Sequence, residues 1–110
     1  MASEVVQQET RLENGWLAWS VEGRIDISTA DSVYQSGEAI VGREEKTVLD
    51  MSGVVYISSA GLRVLVRLLK KAKKEGKEFT VAGAAGAVKT VLKDSDMDTL
   101  LNMRESLEDL

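Results

Sequence analysis

Residues 48–74, VLDMSGVVYISSAGLRVLVRLLKKAKK, carry the pattern that decides the fold. They begin inside a short apolar run, KTVLDM at 46–51, which is typical of a central strand covered on both faces. After the loop SGVVYISS, one set of apolar residues recurs at helical spacing: Leu62, Leu65, Val66, Leu69 and Ala72. Basic residues occupy the opposite stripe: Arg63, Arg67, Lys70, Lys71 and Lys74. The stretch therefore predicts a buried strand followed by an amphipathic helix that packs through its Leu and Val face.

Upstream of this stretch the sequence predicts a hairpin and a helix. Two β-like runs within residues 4–23 meet at Asn14-Gly15, a pair that favours a tight type I′ turn. Alternating apolar residues at 17, 19 and 21 indicate that the second strand has one buried face. Helical spacing follows over 33–41, and Ser28 with Asp31 three residues later predicts an N-terminal cap.

Downstream, KEFTVAG at 77–83 predicts a strand and AAGAVKTVLK at 84–93 a short helix. TLLNM at 99–103 predicts a last strand, and RESLEDL at 104–110 predicts a terminal helical turn or two. Strands that alternate with helices pair in parallel through right-handed crossovers. We therefore expect one α/β domain over residues 1–110, a mixed sheet of about five strands with helices packed on it.

The composition excludes most catalytic machinery. The 110 residues include no His and no Cys. Zinc sites of the Cys/His type, thiolate nucleophiles and imidazole bases are therefore absent. We expect no enzymatic activity, no metal and no cofactor. No run approaches the length of a membrane span, and no signal-peptide pattern opens the sequence. These features predict a cytoplasmic protein without membrane contact.

Charge is unevenly distributed along the chain. Residues 1–58 hold 4 Lys or Arg against 10 Asp or Glu, residues 59–93 hold 9 against 2, and residues 94–110 hold 1 against 6. The basic surplus falls mainly along the amphipathic helix. We interpret it as a solvated helix face rather than a nucleic-acid surface, with contact to an acidic partner as the less favoured alternative.

Functional residues of alternating α/β domains gather in loops beyond the carboxyl ends of the strands. Three such loops are expected here: around Asp26, at 52–59 and at 83–86. In the middle loop Ser58 and Ser59 directly precede the amphipathic helix. A serine there serves either as an N-cap or, because free N–H groups and the helix dipole favour an anion, as the carrier of a phosphate. Position alone favours the cap.

The central segment DMSGVVYISSAGLRVL at 50–65 resembles the STAS domain family, specifically its bacterial anti-sigma factor antagonists. VEGRIDISTADSV at 21–33 and FTVAGAAGAVKTVLKDSDMDTLL at 79–101 extend the similarity in the family's order, over roughly residues 4–103. The resemblance implies a sheet of four or five strands with helices on it, in agreement with the pattern of the sequence.

The resemblance also implies a site. Family members are phosphorylated on a Ser or Thr at the start of the helix after D-x-S-G-V, and alignment on Gly61-Leu62 places that residue at Ser59, with Ser58 as the alternative. Ser59 would keep a capping role when unmodified. Asp26 matches an acidic residue that contributes to kinase binding, with helix capping or loop hydrogen bonding as its other possible role.

Further residues around the loop are expected to support it or to meet the partner. Asp50 and Ser52 match the family's D-x-S segment, and we expect Asp50 mainly to fix loop geometry. Gly53 and Gly61 permit the turn and the close approach of the helix. The predicted partner-binding set is Asp26, Ser58, Ser59, Gly61 and Arg63. The loop AGAAGAVKT at 82–90 lacks both common phosphate-binding glycine spacings, so its glycines are interpreted as turn residues.

The implied function is that of an anti-sigma factor antagonist. Its unphosphorylated form would bind an anti-sigma factor that is also a serine kinase, which releases the sigma factor. Phosphorylation of Ser59 would end that binding, and a serine phosphatase would restore it. No direct contact with nucleic acid is expected. Two alternatives remain open: an unphosphorylated STAS scaffold or accessory subunit of a transporter or signalling assembly, and a small-ligand sensor.

Overall fold

The fold is a five-stranded mixed sheet with helices packed against it, seen in a computed structural model that describes residues 4–110. The strands are β1 (Val5–Arg11), β2 (Leu17–Ile25), β3 (Lys46–Asp50), β4 (Val54–Ile57) and β5 (Glu78–Ala82). The helices are α1 (Ala30–Arg43), α2 (Ser59–Lys74), α3 (Gly86–Asp94) and α4 (Met97–Leu100), followed by a 3-10 turn at Leu107–Asp109. The predicted α/β class and mixed five-stranded sheet are confirmed.

The sheet is built around β2. This strand pairs antiparallel with β1 and parallel with both β3 and β4, and β3 in turn pairs parallel with β5. Leu17–Ser20 pair with β3, whereas Gly23–Ile25 pair with β4. β3 and β4 therefore follow one another alongside the same strand, separated by only the three residues 51–53.

The identity of the fifth strand differs from the prediction. TLLNM at 99–103 does not form a strand, because Met97–Leu100 is helical and the Leu101 N–H donates to the Met97 carbonyl. Nearby, only an isolated bridge joins Ala82 to Arg104. The fifth strand is instead β4, inside the segment expected to be a loop. Its four residues show no alternation, since only the first and the last are buried.

Two local turn predictions are also wrong. The hairpin loop spans more than the Asn14-Gly15 pair: the Gly15 N–H donates to the Leu12 carbonyl, the Leu12 N–H donates to Trp16, and Gly15 has φ 93°. This is a three-residue loop closed by a left-handed glycine. Ser28 does not cap α1, which begins after Thr29, and the Ser28 side chain bonds to Asp26 instead.

Both faces of the sheet are covered. On one face the buried side chains of β2, β3 and β5 pack against α1, α2 and α3. On the other face a smaller cluster around Trp16 and Val48 is covered by Leu107 and Leu110 near the carboxyl end. The residues of β3 at 47–49 are all buried, which confirms the prediction of a central strand.

Helix α2 buries a stripe rotated slightly from the predicted one. Leu65, Leu69 and Ala72 are buried as expected, whereas Leu62 and Val66 are only partly covered. Val64 and Leu68 take the central positions instead. The apolar face is wide enough to allow both registers, and the contacts with α1 and the sheet select the observed one.

Gly37 lies where α1, α2 and the sheet come closest together. A Cβ atom at this position would lie 2.6 Å from Trp19 Cη2 and 2.7 Å from Leu68 Cδ1. Both neighbours are fully buried, so neither can move aside freely. The absence of a side chain at Gly37 therefore sets the distance between the two long helices and β2.

Helix α2 is capped by Ser58. The Ser58 side chain accepts a hydrogen bond from the Gly61 N–H at 3.3 Å, and its extended backbone (φ −96°, ψ 177°) is that of an N-cap residue. Ser59 is the first helical residue, so the capping role expected for Ser59 was wrong. The cap position is the residue just before the first helical residue, and Ser58 occupies it.

We expect Gly37→Ala to lower the free energy of unfolding. Overpacking costs typically about 1–3 kcal/mol and outweighs the gain in helix propensity of about 1 kcal/mol. Gly42→Ala in the same helix is the control, because a Cβ there meets only Lys71 atoms at 3.6 Å and beyond. Urea denaturation should show opposite signs for the two variants. Stabilisation by both would contradict the packing argument.

We expect Ser58→Ala to destabilise the fold by about 1 kcal/mol, because it removes the side-chain cap of α2. Ser59→Ala should change the free energy of unfolding by less than about 0.5 kcal/mol. The same denaturation measurement compares the two variants. A larger loss of stability for Ser59→Ala than for Ser58→Ala would show that Ser59, not Ser58, caps the helix.

Candidate functional site

The candidate site lies at the carboxyl ends of β2 and β4. Ile25 and Ile57 are paired in the last register of these two strands, and the Ser58 N–H donates to the Ile25 carbonyl at 2.9 Å. Asp26 and Ser58 therefore each follow one member of the same pair. Parallel pairing thus brings together two segments that are about thirty residues apart in the sequence.

The Asp26 loop is held by its own hydrogen bonds. The Asp26 Oδ1 atom accepts bonds from the Ser28 hydroxyl at 2.6 Å and the Ser28 N–H at 3.0 Å. The Arg24 guanidinium lies 3.5 Å from Oδ2. The Ser28 hydroxyl, more than the guanidinium, holds the pKa of Asp26 below its ordinary value against the opposing effect of desolvation. Asp26 therefore presents an ionised, partly buried carboxylate at neutral pH.

Thr29 fixes the path of this loop into α1. Its hydroxyl donates to the Arg24 carbonyl at 2.8 Å and accepts from the Asp26 N–H at 3.0 Å. The Asp26 carbonyl accepts from the Ala30 N–H at 2.8 Å. The Asp26 side chain does not cap the helix. Of the two local roles expected for Asp26, loop hydrogen bonding is the one the structure contains.

Ser58 and Ser59 are neighbours in different environments. Ser58 is partly buried and its hydroxyl caps α2, whereas Ser59 is exposed. Within residues 4–110, the Ser59 hydroxyl makes no hydrogen bond to protein. The site therefore contains one serine occupied by a structural bond and one serine that is accessible and unengaged.

Gly61 allows α2 to begin directly on the ends of the strands. A Cβ atom here would lie 2.6 Å from Ile57 Cγ1 and 2.9 Å from the Ile25 carbonyl oxygen. The carbonyl is part of the backbone and cannot rotate away. Gly61 is thus buried and contributes to the site by letting the helix approach, not by offering a side chain to a partner.

Asp50, Ser52 and Gly53 form a supporting turn between β3 and β4. Asp50 Oδ1 accepts a hydrogen bond from the Ser52 N–H at 3.0 Å. A Cβ at Gly83, which has φ 79°, would lie 3.1 Å from that same carboxylate oxygen. A Cβ at Gly53 would lie 2.5 Å from the Glu22 Cγ atom. The geometry expected of Asp50 and of Gly53 is thus present, and the 83–86 loop packs against this turn.

Three exposed residues beside the site, Arg24, Ile27 and Tyr56, were not predicted from the sequence. The Arg24 guanidinium stacks over the Tyr56 ring, with Cζ 4.1 Å from its centroid, and the two residues are register partners in β2 and β4. Tyr56 is 41% exposed and Ile27 is 85% exposed. The signal for Ile27 was its place beside Asp26, in a loop where an apolar residue has no packing role. Tyr56 was not predicted because strand β4, which pairs it with Arg24, was itself not predicted.

The basic stripe of α2 divides into paired and unpaired residues. Arg67 stacks over the Tyr34 ring at 3.8 Å, and Lys71 forms an ion pair with Glu75 at 2.7 Å. Arg63 is exposed, one turn after Ser59, and has no hydrogen bond or ion pair with any residue from 4 to 110.

Among residues 4–110, no group of three or more His, Cys, Asp or Glu side chains is arranged for a metal. No helix there is long and apolar enough to cross a membrane.

Solved structures with the same architecture include regulators and transporter domains. An anti-sigma factor antagonist from Mycobacterium paratuberculosis is 26% identical, with a TM-score of 0.86 over 96% of this chain and 90% of the other. The phosphorylated Bacillus cell fate determinant SpoIIAA is 9% identical, with a TM-score of 0.69 over 94% and 95%. The SulP transporter STAS domain from Vibrio cholerae is 18% identical, with a TM-score of 0.64 over 82% and 73%.

At these identities, likeness to the Bacillus and Vibrio cholerae structures concerns the fold alone. The family is shown by a different comparison, in which the model of the STAS domain matches residues 7–110 and so includes every element of the site. The chain belongs to the STAS domain family.

Proposed function

We propose that this protein is an anti-sigma factor antagonist whose binding is switched off by phosphorylation of Ser59. The observation that carries the proposal is the exposed and unbonded Ser59 hydroxyl at the start of α2, next to a serine that already caps the helix. A hydroxyl without a structural role can be modified without loss of the fold. Similarity to the Mycobacterium paratuberculosis antagonist supports the choice of function.

The unmodified protein binds an anti-sigma factor through the Ser59 loop, and the sigma factor is released. The contact surface comprises Asp26, Ser58, Ser59 and Arg63, with Gly61 holding the helix in place. Asp26 contributes a negative charge to this surface, and Arg63, one turn after Ser59, contributes a positive charge. These opposite charges orient the partner more than they add affinity.

The partner supplies the phosphoryl chemistry. The Ser59 oxygen attacks the γ-phosphorus of ATP held by the anti-sigma factor, its proton passes to a base of that partner, and ADP leaves. Asp26 is a weak candidate for that base, because its pKa lies below the ordinary value. A serine phosphatase later hydrolyses the phosphate ester and restores the hydroxyl. This cycle takes place in the cytoplasm, where ATP is available.

Phosphorylation adds a charge of about −1.5 to −2 at the contact. Free N–H groups of the first turn of α2 and the positive end of its dipole can hold the phosphate without refolding the domain. Release then follows from steric and like-charge conflict across the interface. A loss of about 2–3 kcal/mol, or roughly 30-fold to 150-fold in Kd, is enough to free the partner.

We expect the cognate kinase to phosphorylate Ser59 when mixed with the purified protein and ATP. Exposure of Ser59 and engagement of Ser58 both favour this position. Mass spectrometry of proteolytic peptides locates the modified residue, with Ser58→Ala and Ser59→Ala as matched variants. Only Ser59→Ala should abolish incorporation. Phosphate on Ser58 would move the site, and no incorporation with an authenticated partner would leave a scaffold or a ligand sensor as the better explanation.

We expect Ser59→Ala to bind the anti-sigma factor with nearly the affinity of the unmodified protein. Ser59→Asp should bind at least about 10-fold more weakly, because its charge mimics part of the phosphate. Isothermal titration calorimetry measures both affinities, and thermal unfolding checks that both variants are folded. Equal affinities would contradict a switch based on charge.

A further inference from the structure

A groove of about 240 Å³ lies between the start of α1 and the first two turns of α2, and Ala60, the residue after Ser59, is part of its lining. Ala30, Ala60 and Val64 are the apolar residues that line it between the helices. Ile27 lines its outer side. A volume of this order suits one large apolar side chain. Alanine at both 30 and 60 leaves the groove open, since larger side chains at these positions would fill it.

Ile27 is exposed in a way that packing within the chain does not explain. It is 85% exposed, the highest value among the large apolar residues of the described chain that lie at the surface. Three of the five such residues, Ile27, Val55 and Tyr56, lie in the two segments that meet at the site. Ile27 lines the groove, and an exposed apolar side chain beside a contact surface is typical of a binding anchor.

The rim of the groove is charged. Arg63 and Arg67 stand on the α2 side and Asp31 on the α1 side. Arg67 is held in place by stacking on Tyr34, whereas Arg63 has no partner among the residues described. A partner segment with an apolar residue next to an acidic residue fits this groove. The apolar side chain packs against the apolar lining, and the carboxylate lies near the two guanidinium groups.

We propose that this groove receives an apolar side chain of the anti-sigma factor, flanked by an acidic residue that meets Arg63 and Arg67. The inference rests on the proposed function, since it identifies the surface through which that partner is held. The groove and the Ser59 hydroxyl have different roles. The groove determines which kinase binds, and the phosphorylation state of Ser59 determines whether that kinase binds. Ile27 is a specificity residue and does not take part in phosphoryl transfer.

The test measures binding of the cognate anti-sigma kinase and the kinetics of its action on this protein. Ile27→Ala should raise Kd at least about 10-fold, while Val6→Ala, an exposed apolar residue outside the groove, should change it less than about twofold. In phosphorylation by the kinase, Ile27→Ala should raise KM with kcat unchanged, because the anchor binds without touching the reacting atoms. Ala60→Leu, which fills the groove, should weaken binding in the same way.

The charged rim has its own control. Arg63→Gln should weaken binding and reduce its dependence on salt, whereas Lys74→Gln, on the same basic stripe but in the last turn of α2, should do neither. Thermal unfolding of each variant separates a lost contact from a lost fold. Ile27 is exposed, so the variant at this position should unfold like the unmodified protein.

The outcomes distinguish this inference from the function on which it rests. If the unmodified protein fails to bind the kinase, or if Ser59→Asp binds as well as Ser59→Ala, the proposed function fails. If that switch works but Ile27→Ala and Ala60→Leu bind normally, only the groove is excluded. Self-association lost in Ile27→Ala, with kinase binding intact, would assign the groove to a second copy of the chain and overturn the proposal.

Discussion

The close approach of α2 to the paired ends of β2 and β4 is the constraint on which the site depends. Gly61 rests against Ile25 and Ile57, and a single methyl group at that position would meet a backbone carbonyl at 2.9 Å. The helix therefore begins directly above two adjacent strand ends. That placement brings the start of α2 to the strand end that Asp26 follows and leaves an open groove toward α1.

The two adjacent serines at the start of α2 have different roles. Ser58 satisfies the Gly61 N–H and belongs to the structure, while Ser59 is exposed and makes no bond within the described residues. Because capping does not depend on Ser59, the phosphorylation that we propose for Ser59 leaves the cap of α2 in place. At Asp26, two hydrogen bonds from Ser28 hold the carboxylate in position, and the bond from the Ser28 hydroxyl also lowers its pKa.

Sequence patterns predicted the elements in which burial follows a regular period. They failed for short elements whose burial pattern has no such period. β3 and α2 were predicted because several consecutive turns or residues share one environment. β4 was missed because only Val54 and Ile57 of its four residues are buried, which produces neither alternation nor a continuous apolar run. The adjacent leucines of 99–103 suggested a strand, but local hydrogen bonds make that segment helical and leave Leu100 exposed.

The sequence by itself determined the α/β class, the amphipathic α2 and the exclusion of His- and Cys-based chemistry. These properties follow from composition and periodicity, which are local. The tertiary structure alone decided that Ser58 rather than Ser59 is the cap, that Tyr56 stacks on Arg24, and that Ile27 borders a groove against α2. Each of these depends on contacts between segments distant in the chain, or on a one-residue difference in where a helix begins, which periodicity cannot define.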